Sequence, residues 1–268
     1  MKEIGHREHR GHRGYKCKMR IDQTIERWFR QTADDINSAN KPDEPEYELC
    51  ASILPLAHNY SDAALLLLNS GKKLPAMAII RVVAELTFRF IWCLSPNKRN
   101  ENVNVRIQRW LKKSYEQEIR NLKKRLPSAD GKEQERIAAA ITYYESEAEK
   151  ITSRSAGDLY GSLEDLTVNS PDNARKSLSW KNQLYPLLYT PFNQAVHPDL
   201  LVLFKLTKQT GNARMFGGDY DTVNINVLKI GCMSCVFNIL AATRIVYDLD
   251  YQDIKKEYLE IKKQMKKE

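Results

Sequence analysis

Two apolar runs, Leu49–Asn69 and Leu74–Leu94, meet across Ser70-Gly71-Lys72-Lys73, and this pairing constrains the fold more than any other feature of the chain. Their apolar residues follow helical rather than alternating spacing. Gly71 offers the first run a C-terminal cap. Leu74-Pro75 opens the second, with proline suited to a first helical turn, and that helix stops before Pro96.

The same period recurs along the chain. From Ile21, the residues Ile25, Trp28, Phe29, Thr32 and Ile36 fall on one side of a helix. The loop NKPDEPE ends that helix, because Pro42 and Pro45 each remove a donor and restrict the preceding residue. Arg106–Leu126 and Lys132–Thr152 read as two charged helices joined by the turn-rich PSADGK. The first carries Ile107, Leu111, Tyr115, Ile119, Leu122 and Leu126, and the second is acidic. Opposite charges on adjacent helices point to a projecting, solvated hairpin. Ser153–Ser179 reads as an irregular crossing with a short helix near Leu159–Leu166, and Trp180–Val196 resumes helical character. Thr207–Thr222 reads as a loop. A long apolar helix follows from about Val223 to Tyr247. Beyond it, Ile254, Tyr258, Ile261 and Met265 make a narrow apolar stripe suited to docking on the body or to pairing with a second copy.

The expected fold class is therefore all-α: a helical bundle with an inserted charged helical hairpin, at least six helices, and no sheet beyond incidental pairing. Residues 1–18 read as a disordered basic tail and 19–268 as one helical domain. Within it the core falls at about 49–94 and 180–248, the hairpin arm at 103–152, and a C-terminal amphipathic helix at 250–268.

Charge and cysteine content narrow the class. The net charge of +8 looks like a nucleic-acid signature until it is located: Met1–Arg20 carries +5 and Arg106–Leu126 carries +6, leaving the remainder at −3. A polyanion would meet a tail and an arm rather than the whole surface. Five scattered cysteines, Cys17, Cys50, Cys93, Cys232 and Cys235, fit reduced thiols in a cytoplasm. Cys232 and Cys235 read as buried core thiols. The N-terminus lacks the apolar region of a secretory signal. The most apolar segments carry charges (Arg81, Glu85 and Arg89 in one, Lys229, Arg244 and Asp248 in the other), so neither reads as a membrane span. The His6, His9, His12, Cys17 spacing has no structured second half, and no metal or cofactor is expected. No phosphate loop, serine elbow or HExxH motif is present.

Two features can carry chemistry. Arg81, Glu85 and Arg89 recur every four residues on an otherwise apolar helix and share one stripe. Burying an isolated charge is costly, so this stripe is expected to be paired or to face a cleft, with Arg81 and Glu85 largely buried near His197. His197 ends the run YTPFNQAVH directly before Pro198, at a helix break where an imidazole can act as acid or base.

The stretch HNYSDAALLLLNSGKKLPAMAIIRVVAELTFRFIWCL, with Ala76–Glu85 and the later YTPFNQAVHPDL, resembles the HEPN-like (higher eukaryotes and prokaryotes nucleotide-binding) superfamily, in particular a bacterial branch without assigned activity. The resemblance covers about Leu49–Leu94 and Trp180–Leu203. It implies a helical bundle, a homodimer, and an RNA-linked role in bacterial stress or phage defence alongside an antitoxin or defence-system protein. Many family members are metal-independent ribonucleases. On this reading His197 does the acid/base work and Asn193 orients one of the groups, while Arg81, on another helix with Glu85 beside it, would supply the cation that stabilises a phosphate. The family's catalytic arginine would fall at Thr190, Pro191 or Phe192, and none of these is arginine. The leading reading is weak or partner-dependent cleavage; the departure favours the alternative, a non-catalytic interaction or regulatory subunit of the same fold, and a third reading is a small-ligand sensor in an Arg81–Glu85 cleft. The apolar late helix and the Ile254–Met265 stripe likewise suggest a homodimer.

Overall fold

A computed structural model describes residues 21–39, 41, 44–95, 101–156, 207–210, 213–216 and 224–265. The described chain is an α-helical bundle. Its helices are α1 (Ile21–Ser38), α2 (Pro45–Asn69), α3 (Lys73–Leu94), α4 (Val103–Arg125), α5 (Gly131–Lys150), α6 (Ile225–Val246) and α7 (Gln252–Met265).

The α2–α3 turn forms as its glycine requires. Gly71 takes φ of +74°, a left-handed conformation that costs glycine little. Lys72 N–H then donates to the Leu67 carbonyl at 2.8 Å and Gly71 N–H to that of Leu68 at 3.1 Å, closing a Schellman cap. α2 begins earlier than expected. Pro45 is its first residue rather than part of the preceding breaker, because the missing N–H costs nothing at that position.

The core is a three-helix packing of α2, α3 and α6, with α1 laid against α6 and α2. Trp28, Phe88, Phe90, Ile80, Leu65 and Ile239 are its bulky, fully buried members. By length and composition alone α6 could cross a membrane, and its most apolar stretch is 61% buried. The C-terminal stripe docks on the chain's own body. Ile254, Tyr258 and Ile261 are buried, the Tyr258 ring stacks on Phe237 at 4.4 Å, and its hydroxyl meets Ser234 Oγ at 2.9 Å. This use of the stripe removes it as an argument for a second copy.

The hairpin arm is present. α5 packs on α4 through a small core of its own, Leu122, Ile137 and Ile141, separate from the main one. One local expectation is corrected: Thr207–Thr210 and Ala213–Phe216 form a two-stranded antiparallel ribbon (β1 and β2) rather than loop, with Thr207 opposite Phe216 and Thr210 opposite Ala213. Threonine and phenylalanine favour extended backbone, and Gly-Asn between the two runs is a hairpin signal in sequence. The expected tail at 1–18, the crossing at 157–179 and the helical run at 180–203 lie outside the described residues.

Candidate functional site

The α3 charge stripe divides along its length. Arg81 and Glu85 are partly exposed, with the Arg81 Nε atom buried, in keeping with their apolar setting. The stripe is covered most fully at its last member: Arg89 is 8% exposed. His197 and Asn193 lie outside the described residues, so the structure places only two of the four expected site residues, one turn apart on α3.

The end of α3 builds a second polar cluster that sequence reading missed. Arg89, Trp92 and Cys93 sit on the last two turns of α3, all buried. They are met by the first turns of α4, which begins where Asn102 Oδ1 accepts from Val105 N–H at 2.9 Å. That cap orients Arg106 and Arg109, one turn apart, toward the body. They are 3% and 2% exposed, whereas the basic character of this segment had placed them on a solvated arm. Helical spacing with Trp110 and the Asn102 cap was the available signal.

Arg109 is ion-paired with Glu101, and its guanidinium lies 5.2 Å from the centre of the Trp92 ring. Arg106 Nε and Nη1 are buried without a hydrogen-bond partner among the described residues. Trp92 Nε1 is likewise buried and without a hydrogen-bond partner among the described residues. Leaving a buried donor unmet costs about 1–3 kcal/mol, more for a charged group. Burial pushes the Arg106 pKa down, opposed by Cys93 and Glu101 and reinforced by Arg109. Burial also raises the Cys93 thiol to about 12, partly offset by Arg106, Arg89 and Arg109. A thiol held that high is neutral and inert as a nucleophile. The negative end of the α3 dipole offsets part of the cationic crowding, but it gives Arg106 no hydrogen bond.

A third polar feature lies between α1 and α2. A groove of about 350 Å³ has an apolar floor including Phe29, Ile36 and Leu54, with Glu26, Arg30 and His58 at one end. His58 Nε2 and Glu26 are 2.5 Å apart, and Phe29 meets the imidazole edge-on at 4.9 Å. The His58 hydrogen bond, helped by Arg30, holds the Glu26 carboxyl below its ordinary value against the opposing effect of burial.

Some of the arm's charges pair with one another across its two helices. Lys123 Nζ lies 2.7 Å from Glu145 and Arg125 Nη2 lies 3.2 Å from Glu133. Among the described residues no group of three His, Cys, Asp or Glu could hold a metal.

No curated protein matches the chain, and no solved structure does. Residues 47–214, from the first turn of α2 into β2, match a family of unknown function, and the chain accordingly belongs to the DUF5677 family.

Proposed function

We propose that this protein is a HEPN-like helical module of RNA-linked bacterial stress or phage defence, working in the cytoplasm as a weak or partner-dependent, metal-independent ribonuclease. The observation that supports it is the position of Arg81. It stands half-buried at the margin of an otherwise apolar core helix, on the motif Ala76–Glu85 that carries the resemblance. A guanidinium there can meet the charge that develops on a phosphate during cleavage, while Glu85 one turn on fixes the local charge balance. His197 supplies the acid/base group and Asn193 orients it. A second copy of the chain and an antitoxin or defence-system protein complete the proposal.

The test is cleavage of structured RNA in EDTA by the wild type, His197→Ala and Arg81→Ala. Slow wild-type cleavage, lost in both variants, supports the reading. Cleavage unaffected by either substitution refutes the site.

A second reading is favoured by the arm. Because Lys123 and Arg125 pair with Glu145 and Glu133, the arm offers RNA less free positive charge than its composition suggests. The same fold then serves as a non-catalytic regulatory subunit or small-ligand sensor. Inactivity of all three proteins favours that reading.

A further inference from the structure

The groove between α1 and α2 has an apolar floor with a hydrogen-bond acceptor toward each end. Glu26 to Asn37 on α1 faces Ala51 to His58 on α2 across a space of about 350 Å³. Phe29 and Leu54 on the floor are buried, and the small side chains of Ala33 and Ala51 do not fill the space beside them.

One acceptor is charged. The Glu26 carboxylate meets His58 Nε2 at 2.5 Å, and its pKa is held below the ordinary value, chiefly by that bond, so it is ionised at neutral pH. The other acceptor belongs to the backbone. Pro55 lies inside α2 and lines the groove together with Ala51. Proline has no N–H, so the Ala51 carbonyl one turn back lacks the donor that closes the helical ladder.

The nearest cation is loosely committed. Arg30 reaches Glu26 at 3.1 Å from the same face of α1, yet its side chain is 72% exposed. Such an exposed i, i+4 pair is weak and yields to a better-placed cation. A carboxylate ligand would find Arg30 but would stand beside the like charge of Glu26.

The pattern calls for an apolar stem with a donor at each end, positively charged where it meets Glu26. We infer that the α1–α2 groove binds a short linear diamine, with one ammonium on the Glu26 carboxylate, the methylenes over Phe29 and Leu54, and the second ammonium at the Ala51 carbonyl. The span agrees. His58, beside Glu26, lies seven residues from Ala51 on α2, about 10 Å at the helical rise, which an extended 1,6-diaminohexane covers. Arg81, Glu85 and His197 take no part, so the outcome of RNA cleavage does not bear on this inference.

The test is an NMR titration of the isotope-labelled full chain with 1,6-diaminohexane at neutral pH and constant ionic strength, with hexylamine and hexanoate as parallel arms. Saturable shifts of α1 and α2 amides are expected, with Kd on the order of 1 mM for so small a ligand. Hexylamine binds about tenfold more weakly, having lost one charge-assisted bond, and hexanoate does not saturate. Glu26→Gln weakens the diamine at least tenfold. Arg30→Gln removes the rival cation and tightens it about twofold, the opposite of what an anion site would show. Pro55→Ala returns an N–H to the Ala51 carbonyl, so the diamine falls to the affinity of hexylamine. Ala51→Leu fills the floor and removes binding of both amines, which decides the matter if Glu26→Gln does not fold. Glu145→Gln, on the arm, leaves the titration unchanged. Undiminished binding in Glu26→Gln or Ala51→Leu, weaker binding in Arg30→Gln, hexanoate equal to the diamine, or a diamine no better than hexylamine overturns the inference.

Discussion

Arg244, near the end of α6, joins three parts of the chain at once: its Nη1 lies 2.7 Å from Asp35 Oδ2 and 3.4 Å from Thr32 Oγ1 on α1, while its Nε donates to the Asp250 carbonyl at 2.5 Å. The residue is 6% exposed, so its charge is sustained by these contacts rather than by water. α1 contributes no covalent neighbour to α6, and this pairing fixes one against the other.

Arg244→Ala is expected to destabilise the fold by about 2–3 kcal/mol, since it leaves Asp35 without its counter-charge and Thr32 Oγ1 and the Asp250 carbonyl without their donor. Arg244→Lys restores only part of this, because an ammonium cannot span the same three acceptors. Urea denaturation of the two variants measures both, and equal stability of wild type and Arg244→Ala contradicts the role assigned.

The arm should open independently of the body. Its core is confined to Leu122, Ile137 and Ile141, and Ile141→Ala removes a third of it. A loss of about 2 kcal/mol of local stability corresponds to exchange of α5 amides on the order of 30-fold faster, with α3 amides unchanged. Hydrogen exchange read by mass spectrometry shows this directly. Uniform acceleration across α3 and α5 would mean that arm and body unfold as one.

The described thiols should be silent in the native state. Cys50, Cys93, Cys232 and Cys235 are buried, and burial raises Cys50 and Cys235 to about 12 and Cys232 further still. At pH 8 a disulfide reagent should label none of the four until guanidinium unfolds the chain. Rapid native labelling of Cys232 or Cys235 would contradict the closed α6 packing.

Glu26 gives an acid-side signature. Its folded pKa lies below the ordinary value of 4.5, so its contribution to stability is present above that value and lost as pH falls through the lower, folded one. Glu26→Gln should therefore flatten the stability profile just below pH 4.5 and leave its slope unchanged at higher pH. The exposed setting keeps the effect under about 1 kcal/mol. Denaturation midpoints measured across that range give the answer.

The helices were legible because their boundaries are local chemistry. Gly71 needs its left-handed turn and Pro96 cannot continue a helix, so both ends could be placed without knowing what packs where. Pro45 misled for a related reason: a proline that breaks one helix also begins the next, and only the neighbouring packing decides which. The site was less legible. Arg106 and Arg109 look on paper like Arg120 and Arg125, four cations on one amphipathic helix. Their different fates depend on α4 leaving the body partway along, a tertiary fact that no i, i+4 pattern records. Glu26 and His58 belong to different helices, and their contact likewise depends on how α1 crosses α2. The ribbon at 207–216 was signalled only by a few extended-backbone residues and Gly-Asn, too short a pattern to outweigh the surrounding loop composition.

The segment that matches the family ends at residue 214, before α6 starts, yet α6 covers the inner faces of α2 and α3. The stretch recognisable by descent is thus not a unit that can stand alone. A gene fragment trimmed to 47–214 would keep α2 to α5 but leave bare the apolar faces of α2 and α3 that meet α6, and would be prone to clump in the expressing cell. Any lineage that retains this segment must also retain something to roof it, whether or not that roof is similar enough in sequence to be noticed.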